Sequence, residues 1–182
     1  MHGHACEYLI DYLKPGYRVL DIGSGSGYLT HVFASLVTRP PSTAGNSGNL
    51  DCQVIGVDHI SELVDMARYN MGKSEQGRRY LESGQVEFVT ADGRLGWKEG
   101  APYDAIHVGA AAEGDVLFSL LDQLHAPGRM FIPVSRADVE SAGKTLGLGK
   151  GQYIWVVDKD EDGSVHKEKI FQVSYVPLTD AP

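Results

Sequence analysis

Apolar positions along the chain change their spacing from block to block, and the spacing predicts the elements. Cys6, Leu9, Ile10 and Leu13 stand at i, i+3, i+4, i+7 and describe one face of a helix, which Pro15-Gly16 ends. Arg18 to Ile22 reads as a short buried strand, followed by a glycine-rich turn and a helix carrying Leu29, Val32, Phe33 and Leu36. The rhythm repeats with a strand over Val54 to Asp58 and a helix marked by Ile60, Leu63, Val64 and Ala67. Val86 to Val89, Tyr103 to Val108 and Met130 to Val134 supply further strands, and Leu117, Leu120, Leu121 and Leu124 mark a helix before the last of them. Tyr153 to Val157 and Ile170 to Val176 are strand-like and joined through Lys159-Asp160-Glu161-Asp162-Gly163-Ser164 without a helical interval, which predicts a hairpin. Parallel strands need crossover helices, so the expected architecture is α/β: an open, doubly wound, mostly parallel sheet with an antiparallel C-terminal hairpin.

Between these blocks, Thr38 to Asp51 is rich in Pro, Ser, Thr, Gly and Asn without apolar periodicity, and reads as a solvated insertion rather than a linker. Residues 1–182 are therefore expected to form a single domain, for which 42% hydrophobic content is adequate. A net charge of -8 argues against a protein that holds nucleic acid by neutralising phosphates. The two cysteines, Cys6 and Cys52, form no Cys-x-x-Cys pair and read as small apolar side chains in a reducing compartment. Neither a basic leader with an apolar stretch nor an apolar run of membrane-spanning length occurs in the sequence, so a cytoplasmic protein without membrane association is expected.

The sharpest chemical signal is Asp21-Ile22-Gly23-Ser24-Gly25-Ser26-Gly27-Tyr28, where a strand runs through Gly-x-Gly-x-Gly into a helix. Glycine permits positive φ in such a turn and lets a ligand approach the backbone. The dinucleotide fingerprint is Gly-x-Gly-x-x-Gly; here the third glycine comes one residue early and Tyr28 takes its place, which favours a methyl donor over a nicotinamide cofactor. Asp21 offers a carboxylate to an ammonium group, Asp58 ends the next strand and suits ribose hydroxyls, and Asp92-Gly93 follows the third strand and suits an adenine amino group. Each has a plainer reading: a structural bend, a helix cap, and an ordinary Asp-Gly turn. His107 falls inside a central strand and is expected to be a hydrogen-bonded core residue. His2-x-His4 lacks partners at zinc-ligand spacing, so no metal is expected.

The runs from Leu20 to Leu29, from Val54 to Val64, Ala91-Asp92-Gly93-Arg94, from Ala101 to Ala112 and Tyr175-Val176-Pro177-Leu178-Thr179-Asp180 resemble successive motifs of protein-L-isoaspartate O-methyltransferases in their eukaryotic form. The resemblance covers nearly the whole chain and implies the Rossmann-like class I methyltransferase fold, with S-adenosyl-L-methionine as cofactor and isoaspartyl-containing proteins and peptides as partners of a monomer. It implies cofactor contacts at His2, Asp21, Gly23, Ser24, Gly25, Asp58, His59, Asp92, Gly93 and Thr179. In the family a Ser-Ala-Pro-His segment precedes the Met-His that matches Met1-His2, and its serine lies at the reaction centre. That serine has no counterpart in this sequence, so no catalytic residue is assigned, and two expectations stand: an active methyltransferase, or a truncated domain that binds cofactor without turnover.

Overall fold

The computed structural model describes residues 1–38, 53–112, 114–135 and 151–179, without the side chains of 114 and 115. The insertion expected over Thr38 to Asp51 and the Cys52 assignment lie outside these residues, apart from Thr38 itself. A seven-stranded sheet forms the centre: β1 (Val19–Ile22), β2 (Val54–Asp58), β3 (Val86–Thr90), β4 (Tyr103–Val108), β5 (Leu124–Ser135), β6 (Gln152–Lys159) and β7 (Val165–Val173), in spatial order β3-β2-β1-β4-β5-β6-β7. β1 to β5 are mutually parallel, while β6 runs antiparallel to both β5 and β7. The chain builds outward from β1 in one direction through β2 and β3, then returns to add β4 on the other side. The gap between the C-terminal ends of β1 and β4 is therefore the topological switch, where open α/β sheets admit ligands.

Why these residues make strands is plain for β1 and β2: every position is buried, as expected where both faces of a parallel sheet are covered. One face packs Val19, Phe33, Ala67, Phe88, Ala105 and Phe131 under α1 (His2–Leu9), α2 (Tyr28–Val37) and α3 (Ser61–Met71). The other packs Leu20, Ile22, Ile106, Leu120, Met130 and Val157 with α5 (Gly114–Leu121). Arg129, on β5, joins the layers: its guanidinium forks onto Asp158 at 2.6 and 3.0 Å and donates to the Tyr8 carbonyl at 3.0 Å, tying α1 to the hairpin.

Several expected boundaries shift. α1 tightens into a 3-10 turn at Ile10–Tyr12, which turns Ile10 outward, half exposed, whereas Leu13 stays buried. Leu124 opens β5 rather than closing α5, which ends at Leu121. The hairpin's second strand starts at Val165 and ends at Val173, because its first half is an exposed polar edge, His166-Lys167-Glu168-Lys169, that apolar periodicity does not register. α4 (Glu75–Glu82) also escapes periodicity, since Tyr80 and Leu81 are its only large apolar residues; it is started by Ser74, whose hydroxyl accepts from the Gly77 N–H at 2.9 Å. No helix among the described residues is long and apolar enough to cross a membrane.

Candidate functional site

At the C-terminal end of β1 the chain makes a tight turn in which Gly23, Gly25 and Gly27 have φ of 75°, 51° and 76°. Side chains rarely adopt this left-handed conformation, so alternate residues must be glycine for the turn to close. The turn is fastened to β2: the N–H groups of Gly23 and Ser24 both donate to the Val57 carbonyl, at 2.8 and 3.1 Å. Asp58, at the end of β2, completes the fastening. Its Oδ2 accepts from the Gly25 N–H at 3.0 Å and its Oδ1 from the Ile60 N–H at 3.1 Å, in a carboxylate only 5% exposed.

A cleft of about 240 Å³ opens beside this turn, and Gly23, Asp58, His59, Gly93, Gly109 and Thr179 all line it. Gly93 is wedged against β1, where a Cβ would stand 2.5 Å from Ile22 Cγ2. Gly109 donates to the Ile22 carbonyl at 2.7 Å and brings the end of β4 against the glycine turn. The far wall comes from the segment after the hairpin. The Ala111 N–H donates to the Val176 carbonyl and the Leu178 N–H donates back to the Ala111 carbonyl, each at 2.8 Å, so that Val176 to Leu178 lies alongside the extension of β4 and carries Thr179 to the cleft.

The expected site residues thus divide. Gly23, Asp58, His59, Gly93 and Thr179 meet at the cleft, and Gly25 meets Asp58. Ser24 is 7% exposed, and its Oγ is fully buried without a hydrogen-bond partner. His2 sits on the first turn of α1, exposed and stacked on Tyr28 with ring centroids 5.4 Å apart; it does not line the cleft.

Two of the expected carboxylates have other partners. Asp21 is 1% exposed on the sheet face covered by α1 and α2, and accepts from the Thr30 hydroxyl at 2.6 Å and from His107 Nδ1 at 2.8 Å. Asp92 caps the 3-10 turn Gly93–Leu95, accepting from the Arg94 N–H at 3.0 Å and from its guanidinium at 2.7 to 3.1 Å. Sequence reasoning did not select Gly109 or the Val176 to Leu178 wall for the site. Both lie in runs that carry the resemblance: Gly109 directly follows a buried strand beside the switch point, whereas the place at which Val176 to Leu178 docks depends on where the hairpin delivers it.

The hydrogen bonds from the Arg94 guanidinium hold the Asp92 carboxyl below the usual aspartate range, against a smaller opposing effect of burial. A depressed carboxyl contributes stability at neutral pH that is lost as pH falls through its folded-state value. Arg94→Met is therefore expected to return the Asp92 carboxyl upward toward its ordinary value, read by carbon NMR titration. The stability difference between the two proteins should shrink on the acid side. An unmoved titration would show that another group sets it.

The family model described as protein-L-isoaspartate(D-aspartate) O-methyltransferase matches residues 1–182. Among curated relatives, protein-L-isoaspartate O-methyltransferase 2 of Arabidopsis thaliana is 45% identical over 179 residues, covering 98% of this chain and 50% of that protein. The Triticum aestivum protein of the same activity is 42% identical, with 98% and 66% covered. The Caenorhabditis elegans protein is 39% identical, with 98% and 68% covered. The chain thus spans half to two thirds of the length of these relatives. A crystal structure of a putative protein-L-isoaspartate O-methyltransferase from Plasmodium falciparum, in complex with S-adenosyl-L-homocysteine, matches with a TM-score of 0.73 at 26% identity, over 98% of this chain and 73% of that one.

Proposed function

We propose, from the premise that the chain belongs to the protein-L-isoaspartate(D-aspartate) O-methyltransferase family, that its cleft binds S-adenosyl-L-methionine and that its activity is methyl transfer to the free α-carboxylate of L-isoaspartyl residues in damaged proteins and peptides. The observation that carries this reading is the Gly23-to-Gly27 turn closed by Asp58 at the switch point. Asp58 spends one acceptor site of each carboxylate oxygen on a backbone N–H, and each oxygen keeps a second for a ribose hydroxyl. Gly23 presents bare backbone to the cleft. The Asp58 acceptor and the bare backbone at Gly23 fit the ribose side of an adenosyl ligand.

When bound, the cofactor supplies a methyl group made electrophilic by a sulfonium cation. A substrate α-carboxylate has an unperturbed pKa of roughly 3.5 and is ionised at neutral pH, so the protein needs no general base to create the nucleophile. Its task is alignment and exclusion of water, and alignment alone can supply about 7 to 11 kcal/mol of barrier lowering. The neighbouring backbone amide nitrogen would then attack the methyl ester and displace methanol to give a succinimide, whose hydrolysis returns part of the residues to normal aspartyl linkage. The acidic net charge of -8 accords with protein rather than nucleic-acid substrates. Cytoplasmic residence and a monomeric state belong to the same proposal.

Titration calorimetry with S-adenosylmethionine, followed by transfer of a labelled methyl group to an isoaspartyl peptide and to its aspartyl counterpart, tests the reading. Saturable binding with label only in the isoaspartyl peptide is expected. Binding without transfer would withdraw the activity while keeping the cofactor, and no binding would withdraw both.

A further inference from the structure

The buried carboxylate of Asp21 is left over once the cleft is accounted for, and its surroundings are built with care. It faces His107 directly across the β1–β4 pairing, where the two residues are in register. Asp21 Oδ1 accepts from His107 Nδ1 at 2.8 Å, which assigns the ring proton to that nitrogen, and Oδ2 accepts from Thr30, in the first turn of α2, at 2.6 Å. The imidazole is itself fixed, stacked on Phe131 at 6.0 Å with 17° between planes and met edge-on by Phe33 at 5.9 Å. This cluster joins β1, β4 and α2 at the switch point.

It also lies against the cleft. His107 Cε1 is 3.6 Å from the position a Cβ on Gly109 would occupy, and Gly109 lines the cleft. Asp21 is separated from the cleft residue Gly23 by Ile22 alone. The carboxylate reaches other groups through space: burial first and the Asp21 charge second raise the Cys6 thiol on α1 above its ordinary value. At 1% exposure, however, Asp21 presents almost no surface for a direct ligand contact.

We propose, on the footing of the sulfonium-donor reading above, that Asp21 is a buried anion which favours the cationic methyl donor over its neutral thioether product, and that His107 is the positioning residue that holds this charge beneath the cleft. S-Adenosylmethionine and S-adenosylhomocysteine differ by one methyl group and one positive charge at sulfur. A fixed negative charge below the site adds to the affinity of the first and leaves the second nearly untouched. Without the imidazole donor, the buried carboxylate loses one of its two hydrogen bonds and is no longer held in its place. Charges several ångströms apart in a partly buried setting interact strongly enough to change affinity by about tenfold.

The test is calorimetric titration of the chain with S-adenosylmethionine and, separately, S-adenosylhomocysteine, comparing the unaltered protein with Asp21→Asn, His107→Phe and His107→Asn. Asp21→Asn removes the charge and can still accept from the imidazole while donating to the Thr30 hydroxyl. His107→Phe keeps the ring and removes the donor; His107→Asn restores a donor. Asp21→Asn and His107→Phe are expected to weaken the cationic ligand about tenfold while holding the neutral one within about threefold, and His107→Asn to hold both within about threefold. Equal losses for the two ligands in Asp21→Asn would overturn the charge effect, and a His107→Asn protein as impaired as His107→Phe would overturn the positioning role. Should His107→Phe fail to fold, Asp21→Asn decides the charge effect, and a His107→Asn protein that loses the cationic ligand as Asp21→Asn does overturns the claim that a donor at this position suffices to hold the charge. An unaltered chain that binds neither ligand would overturn the functional reading and this inference together, whereas normal binding with an undiscriminating Asp21→Asn overturns the inference only.

Discussion

Asp58→Ala is expected to weaken S-adenosylmethionine binding by about 10- to 100-fold, the equivalent of about 1 to 3 kcal/mol for lost hydrogen bonds to a charged acceptor. The loss has two sources. The ribose hydroxyls lose their acceptor, and the Gly25 and Ile60 N–H groups lose theirs at 3.0 and 3.1 Å, which loosens the turn against β2. Circular dichroism and urea unfolding separate a folded, weakly binding variant from a collapsed one. A folded Asp58→Ala protein that binds within twofold of the unaltered chain would remove Asp58 from the site.

A larger effect on stability is expected at Gly27, which opens α2 at φ 76°. A Cβ there would lie 2.9 Å from Ala67 Cβ on α3 and 3.1 Å from both Ala67 Cα and Phe88 Cζ, with backbone on one side and a buried ring on the other. Gly27→Ala therefore combines a left-handed alanine, about 1 to 2 kcal/mol, with overpacking, about 1 to 3 kcal/mol. Gly84 is the natural control: its φ is 74°, and a Cβ there would meet nothing within 4 Å. Gly84→Ala should show only the backbone cost in urea unfolding, so the gap between the two variants measures how tightly α2, α3 and β3 close behind the turn. Equal costs would mean that α3 moves aside freely.

The parts of this fold legible in the sequence are those whose burial is symmetrical. β1 and β2 are covered on both faces and read as short apolar runs, and the glycine turn between β1 and α2 announces itself because glycine alone takes its left-handed backbone without steric cost. Elements decided by partners distant in sequence are harder to read. Ile10 fits a helical stripe yet turns outward when α1 tightens, and Leu124 continues a helical spacing yet enters β5, where it pairs with Tyr103. At the site, sequence position puts Asp21, Asp58 and Asp92 at strand ends, but hydrogen-bond donors decide what each can do. Asp58 is held by backbone N–H groups and keeps lone pairs for a ligand, Asp92 is taken by Arg94 two residues on, and Asp21 by a histidine 86 residues away. Only the paired strand register brings that last donor into reach.

The wall made by Val176 to Leu178 binds ligand affinity to the docking of a strip of chain that follows the hairpin. Two main-chain hydrogen bonds to Ala111, the packing of Leu178 against the layer of Leu20 and Ile22, and the bonds between Gln152 and Tyr175 hold that strip, while Val176 stands 73% exposed. Thermodynamic reciprocity then requires that whatever occupies the cleft in contact with Thr179 tightens the strip by as much free energy as the docked strip lends to the occupant. Slower amide exchange at Leu178 in the presence of a bound guest is the visible form of that exchange of stability between a pocket and its own border.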